Sequence, residues 1–103
     1  MDRYLLYGDI GGTKTLLHLA VVKHGEIECC YERRYDSRQY DDFDSRLEGF
    51  WHRAGRRPAV VCLAVAGPIV DQRGQVANLP WGIYASVFAE KFLIPAMKIV
   101  NDF

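Results

Sequence analysis

Net charge is the first thing this sequence lacks. Lys and Arg together number 13, Asp and Glu also number 13, and the formal net charge is zero. A surface that holds nucleic acid or an anionic membrane by long-range attraction carries a basic excess. Neither is therefore expected as the main partner. Long apolar runs are also missing. The run over residues 59–66 falls far short of the roughly 20 residues of a membrane span. Asp9 interrupts the N-terminal apolar stretch too early for a secretion signal. Cysteine is scarce. Three residues, two of them adjacent at Cys29-Cys30, make neither a disulfide framework nor a zinc-type spacing. Reduced thiols and a cytoplasmic location are the expectation. Repeats, low-complexity tracts and linkers are absent. At 103 residues the chain is one domain or part of one.

What is present starts at Gly8-Asp9-Ile10-Gly11-Gly12-Thr13-Lys14-Thr15. A short apolar run precedes it and a longer one follows, so it reads as a tight turn between two strands. Adjacent glycines permit close approach of the backbone. A glycine-rich turn presents a row of N–H groups that suits a phosphate. Asp9 offers a carboxylate for Mg²⁺ beside that phosphate, directly or through water. Thr13 and Thr15 add hydroxyls. The P-loop is excluded because Thr13, not Gly, precedes Lys14. The dinucleotide fingerprint is excluded because Gly8, Gly11 and Gly12 have the wrong spacing. The bland alternative is an ordinary hairpin turn.

Residues 4–8, 15–22 and 27–35 read as an antiparallel meander with short turns. Cys29 and Cys30 fall inside its third strand, with side chains on opposite faces. After a polar loop at residues 36–39, Tyr40, Phe43, Leu47, Phe50, Trp51 and Ala54 recur at helical steps. Asp41, Asp42 and Asp44 near the start, and Arg53, Arg56 and Arg57 near the end, suit the helix dipole. Gly55 is the expected terminator. Residues 59–66 are apolar throughout, the pattern of a parallel strand covered on both faces. Residues 69–76 predict a small hairpin around Asp71-Gln72-Arg73-Gly74, and residues 78–82 a loop. Ser86 is the expected N-cap of a second helix reaching about Leu93, with Val87, Phe88 and Phe92 inward. Residues 97–100 form a last strand, followed by Asn101-Asp102-Phe103.

Strands joined through helices should run parallel to the first strand. Their shared carboxyl edge then carries residues 9–13, Gly67-Pro68 and Asn101-Asp102, and open α/β sheets bind ligands at that edge. Two acids there can divide labour. Asp9 would hold Mg²⁺, while Asp102 would take the proton of an attacking hydroxyl in phosphoryl transfer. Asn101 both donates and accepts, which matches sugar hydroxyls. Taken alone, Asn-Asp after a strand is more often a turn or cap.

These motifs resemble those of a known family. Gly8-Asp9-Ile10-Gly11-Gly12-Thr13 resembles the first phosphate motif of sugar kinases in the actin/hexokinase superfamily. Ala64-Val65-Ala66-Gly67-Pro68, Asn78-Leu79-Pro80-Trp81 and Asn101-Asp102-Phe103 are similar, in order and spacing, to bacterial glucokinases. The resemblance implies an α/β, ribonuclease H-like or actin-like ATPase lobe, with a mixed sheet in which the meander precedes helix-connected parallel strands. It implies transfer of the ATP γ-phosphate to the 6-hydroxyl of glucose, the first step of glycolysis, with ATP and Mg²⁺ as cofactors and glucose as substrate. It implies Asp102 as catalytic base, Asn101, Asp102 and Asn78 as sugar ligands, and Gly11, Gly12 and Thr13 as the phosphate loop, with Asp9 at the metal. Lys14 stands where bacterial glucokinases more often have Asn and the repressor/kinase family has Lys; Phe103 favours the glucokinases. The alternatives are another hexose kinase of the repressor/kinase family, or a non-catalytic sugar-sensing or actin-like fragment of the same fold. The family's larger C-terminal lobe, with its adenosine site, is not represented in residues 1–103. The chain is thus expected to be the small N-terminal lobe, inactive alone, with an uncovered apolar surface suited to a homodimer.

Overall fold

The computed structural model describes residues 3–39, 42–76 and 79–101. The three N-terminal strands are β1 (Arg3–Ile10), β2 (Lys14–Lys23) and β3 (Glu26–Asp36). They form the expected antiparallel meander, with Arg3 opposite Val22 and Lys23 opposite Glu26. The second turn is tight because His24 and Gly25 both take positive φ, 52° and 78°. Each strand is longer than the apolar pattern suggests. β1 in particular runs on through Asp9 and Ile10, so the glycine turn is only residues 11–13. The backbone ladder recruits these residues because Asp9 and Ile10 pair with both Leu16–Thr15 and Ala64–Val65.

A 3₁₀ turn (Ser37–Gln39) leads to helix α1 (Phe43–Ala54). Asp42 is its N-cap: the carboxylate accepts the Asp44 N–H at 3.1 Å and the Ser45 hydroxyl at 2.6 Å. Gly55 ends it in the left-handed region at φ 75°, where a side chain would be strained. Phe43, Leu47, Phe50 and Trp51 face the core; Tyr40 and Asp41 lie outside the described residues. Strand β4 (Val60–Val65) then returns parallel to β1. A three-stranded antiparallel sheet follows: β5 (Ile69–Val70), β6 (Arg73–Gln75) and β7 (Gly82–Tyr84). Asp71 and Gln72 both take positive φ, which is what a two-residue hairpin turn demands. Helix α2 (Ala85–Phe92) and strand β8 (Ala96–Asn101) complete the chain, with β8 parallel to β4. The large sheet has the order β3-β2-β1-β4-β8, the mixed α/β arrangement the sequence predicts. No helix among the described residues is long and apolar enough to cross a membrane.

Four expectations are corrected. Gly82, expected to close a loop, instead opens strand β7, because β6 offers an unpaired edge for residues 82–84. Ser86 is not an N-cap; α2 begins at Ala85 with Tyr84 at the cap position and no side-chain cap bond. Val87 points to solvent at 58% exposure, while Phe88 is buried. β4 is covered on one face only. Val61, Leu63 and Val65 are fully buried against the helices, yet Val60 is 36% exposed and Cys62 and Ala64 are half-buried.

The core lies between the large sheet and the two helices, where Leu6, Leu17, Leu19, Phe43, Phe50 and Phe88 are sealed from solvent. Trp51 meets Phe88 and Phe92 edge-on, at 6.0 and 5.5 Å. Edge strand β8 is held by a side chain. The Gln72 amide donates to the Ile99 carbonyl (3.1 Å) and accepts the Ile99 N–H (2.8 Å), reproducing a strand partner.

The Ser45 hydroxyl, with help from two backbone N–H groups and Lys91, holds the Asp42 carboxyl below the usual range. A lowered folded value means its stabilisation is present above the ordinary carboxylate range and lost as pH falls through the folded value. Burial, reinforced by the Asp42 charge, raises Asp44 and gives the opposite slope. Asp42→Ala is expected to cost about 1 kcal/mol at neutral pH. In urea titrations repeated at falling pH, the gap between wild type and Asp42→Ala should close once Asp42 is protonated.

Candidate active site

Three parallel strands end at one level. Ile10 is in register with Val65, and Val65 with Asn101. Adjacent strands lie about 4.8 Å apart, so the glycine turn and Asn101 sit about 10 Å apart across the end of β4. The ends are cross-linked. The Ala66 N–H donates to the Ile10 carbonyl at 2.9 Å, and the Asn101 side-chain amide donates to the Gly67 carbonyl at 2.8 Å. Gly67 admits no side chain: a Cβ there would fall 2.1 Å from the Gln75 carbonyl oxygen. At the other end of the row, a Cβ on Gly8 would fall 2.3 Å from the Leu16 oxygen. The close approach of β1 to β2, and of the β4 end to β6, thus depends on these two glycines.

The turn over residues 11–13 is held from behind. The Gly11 N–H donates to the Lys14 carbonyl at 2.9 Å. Ser37, fully buried, holds the turn twice: its N–H donates to the Thr13 carbonyl at 2.8 Å and its hydroxyl to the Gly11 carbonyl at 2.7 Å. With the Ser37 proton so placed, the Thr15 hydroxyl is the donor in its 2.8 Å bond to Ser37 Oγ. Thr15 is therefore not a surface hydroxyl for a phosphate, as its place in the motif suggests; it is fully buried and braces Ser37. Ser37 itself carries no sequence signal beyond a polar loop. Its own position is set by Asp36, whose carboxylate accepts the Arg38 N–H at 2.9 Å.

Of the residues singled out from sequence, Asp9 and Thr13 are exposed on this edge, and Gly11 and Gly12 are half-buried. Among the described residues, the glycines with positive φ are Gly25 and Gly55, so Gly11 and Gly12 contribute lack of bulk and not left-handed backbone. Asn101 is placed at the same edge. With one N–H on Gly67, it keeps its carbonyl oxygen and a second N–H for a ligand. Asn78 and Asp102 lie outside the described residues.

A family model described as glucokinase matches residues 6–103. The chain belongs to the glucokinase family. It is 36% identical over 102 residues to the glucokinase of Trichormus variabilis, an alignment covering 96% of this chain and 30% of that one. A glucokinase structure from an Antarctic psychrotroph superposes with a TM-score of 0.81 at 26% identity, covering 97% of this chain and 32% of that one. A Balamuthia mandrillaris glucokinase in complex with glucose gives a TM-score of 0.65 at 26% identity, over 97% and 30% of the two chains. The present chain thus spans about a third of the length of its glucokinase relatives.

The Ser37 brace is open to a stability test. Ser37→Ala removes a buried donor from the Gly11 carbonyl and an acceptor from Thr15, a loss of about 1–3 kcal/mol. If Thr15 acts through Ser37, the cost of Thr15→Val should shrink once Ser37 is already Ala. Urea unfolding of the four chains in a double-mutant cycle measures this; additive losses would mean the two hydroxyls do not bond.

Proposed function

We propose that this chain is the N-terminal lobe of an ATP-dependent glucokinase, transferring the γ-phosphate of ATP to the 6-hydroxyl of glucose. The observation that carries the reading is the common edge of β1, β4 and β8, where a braced glycine turn and Asn101 lie together. Family membership supplies the reaction class.

In this reading the Gly12 and Thr13 amides and the Thr13 hydroxyl receive the nucleotide phosphates. Ser37 keeps the Gly11 and Thr13 carbonyls turned away from those anions. Asp9, an exposed carboxylate one residue pair from the turn, fits an oxygen-seeking cation. Mg²⁺ held there would offset the charge of the phosphates. Asn101, fixed by Gly67, and Asn78 would orient the sugar. Asp102 would accept the proton of the 6-hydroxyl as its oxygen attacks the γ-phosphorus, with ADP leaving. The second lobe of the family would supply the adenosine site and remaining sugar contacts. Closure of two lobes is what holds both substrates and excludes water.

The test is a graft. Residues 6–103 replace the matching segment of the Trichormus variabilis relative, and glucose phosphorylation is followed by a coupled assay. The graft should turn over, and Asp102→Asn should lower kcat by about 10²–10⁴-fold with glucose KM little changed. Near-normal kcat in a folded Asp102→Asn graft would overturn the assignment. The 103-residue chain alone should show no turnover above its Asp102→Ala control.

A further inference from the structure

A second cluster of chemistry-bearing side chains lies outside that edge, on the face of the large sheet away from the helices. It comprises His18 on β2 and Cys29 and Glu32 on β3. Residues three apart on a regular strand point to opposite faces, so Cys29 and Glu32 should not meet. A β-bulge brings them together. The register runs Leu19 opposite Tyr31 and then Ala20 opposite Cys29, passing over Cys30. Cys30 turns its thiol to the Leu19 carbonyl at 3.3 Å. The extra residue shifts the strand's parity, and Cys29 joins the row shared by Ala20, His18 and Glu32.

The resulting geometry is that of a ligand set. His18 Nδ1 is 3.3 Å from Glu32 Oε2 and 4.0 Å from Cys29 Sγ, and the three ligand atoms lie within 4.8 Å of one another. Tetrahedral Zn²⁺, with bonds of about 2.0–2.3 Å, separates its nitrogen and oxygen ligands by about 3.3 Å and its nitrogen and sulfur ligands by about 3.5 Å. The His18–Glu32 edge already has that length. The sulfur, 4.0 Å from His18 Nδ1 in a set that spans 4.8 Å, would close on the other two by about 0.5–1.3 Å, a side-chain rotation of Cys29. The imidazole plane is set as well. Tyr7, its cross-strand neighbour on β1, stacks on it at 4.7 Å between centroids and 10° between planes.

We propose that His18, Cys29 and Glu32 form a binding site for a thiophilic divalent cation of the Zn²⁺ type. The three protein ligands leave a fourth position for water or an outside group. Imidazole and thiolate select against Mg²⁺ and Ca²⁺, which take oxygen ligands. Arg34 follows Glu32 on the same face and opposes the cation's charge, so the site binds less tightly than a closed four-ligand one. The ion ties edge strand β3 to β2.

The test uses the 103-residue chain, reduced and titrated with Co²⁺ as a spectroscopic stand-in. One equivalent should give a sulfur-to-cobalt charge-transfer band and the visible bands of a four-coordinate ion, both displaced by Zn²⁺. Zn²⁺ should also raise the unfolding temperature, as a ligand of the folded state alone does. Cys29→Ser should abolish the charge-transfer band. His18→Ala and Glu32→Gln should each weaken binding by about tenfold or more. Cys30→Ser and Cys62→Ser should leave the spectrum unchanged. No charge-transfer band in the wild type, a band that survives Cys29→Ser, or one lost in Cys30→Ser would overturn the proposal. Circular dichroism of each variant separates loss of a ligand from loss of fold.

Discussion

The in-register parallel pairing of β1, β4 and β8 is the constraint on which the rest depends. Parallel strands need crossover connections, and here α1 and the β5–β7 sheet with α2 supply them. Both crossovers pack on one face and seal Leu63, Phe50 and Phe88 beneath them. Because the three strands run the same way, whatever follows each one arrives at the same edge. The chain follows them with a glycine turn, Gly67 and Asn101. Had any one been antiparallel, its terminal residues would lie at the opposite end of the sheet. The two tight glycines matter in the same sense. A side chain on Gly8 or Gly67 would push backbone from backbone at the levels that set this edge.

The meander, α1 and the parallel strands were legible in the sequence because each is a local pattern with its own period. Phe43, Leu47, Phe50 and Trp51 mark the stripe of α1, and Gly55 its stop. What was illegible depends on partners distant in sequence. β7 is three residues long and becomes a strand only because β6 stands beside it. Ser86 has the right chemistry for a cap, but the cap position falls two residues earlier, at Tyr84, and leaves Ser86 inside the first turn. At the candidate site, Gly11, Gly12 and Thr13 could be picked out because turns use few residue types. Ser37 could not: its role comes from reaching the Gly11 carbonyl across 26 positions of chain.

Residues 59–66 are apolar throughout, yet β4 is covered on one face only. Val61, Leu63 and Val65 are sealed, while Val60, like Val22 on β2 and Val100 on β8, is more than a third exposed. Uniform apolarity records what a strand can tolerate on each face, not what covers it within these 103 residues. An apolar strip along β4 on the second face agrees with the proposed reading of the chain as one lobe of a two-lobed kinase. An isolated small domain buries a smaller fraction of its surface than a large one.

That second face also holds both cation chemistries inferred for this chain. Tyr7 and Asp9 alternate along β1 and share a face, and their partners on β2 are His18 and Leu16. The His18 row and the Asp9 row are therefore two residues apart, about 7 Å along the strands. Distance does not separate the two sites; ligand softness does. Asp9, in the proposed phosphate site, offers only hard oxygen, which suits Mg²⁺. His18 and Cys29 offer nitrogen and sulfur, which suit Zn²⁺. A single inserted residue makes the difference. Without the bulge at Cys30, the Cys29 thiol would face the helices and the row would hold only His18 and Glu32, an ordinary cross-strand ion pair. Adjacent cysteines are unpromising by spacing alone. They become informative once strand parity is known, because the bulge separates one for the backbone and one for the exposed face.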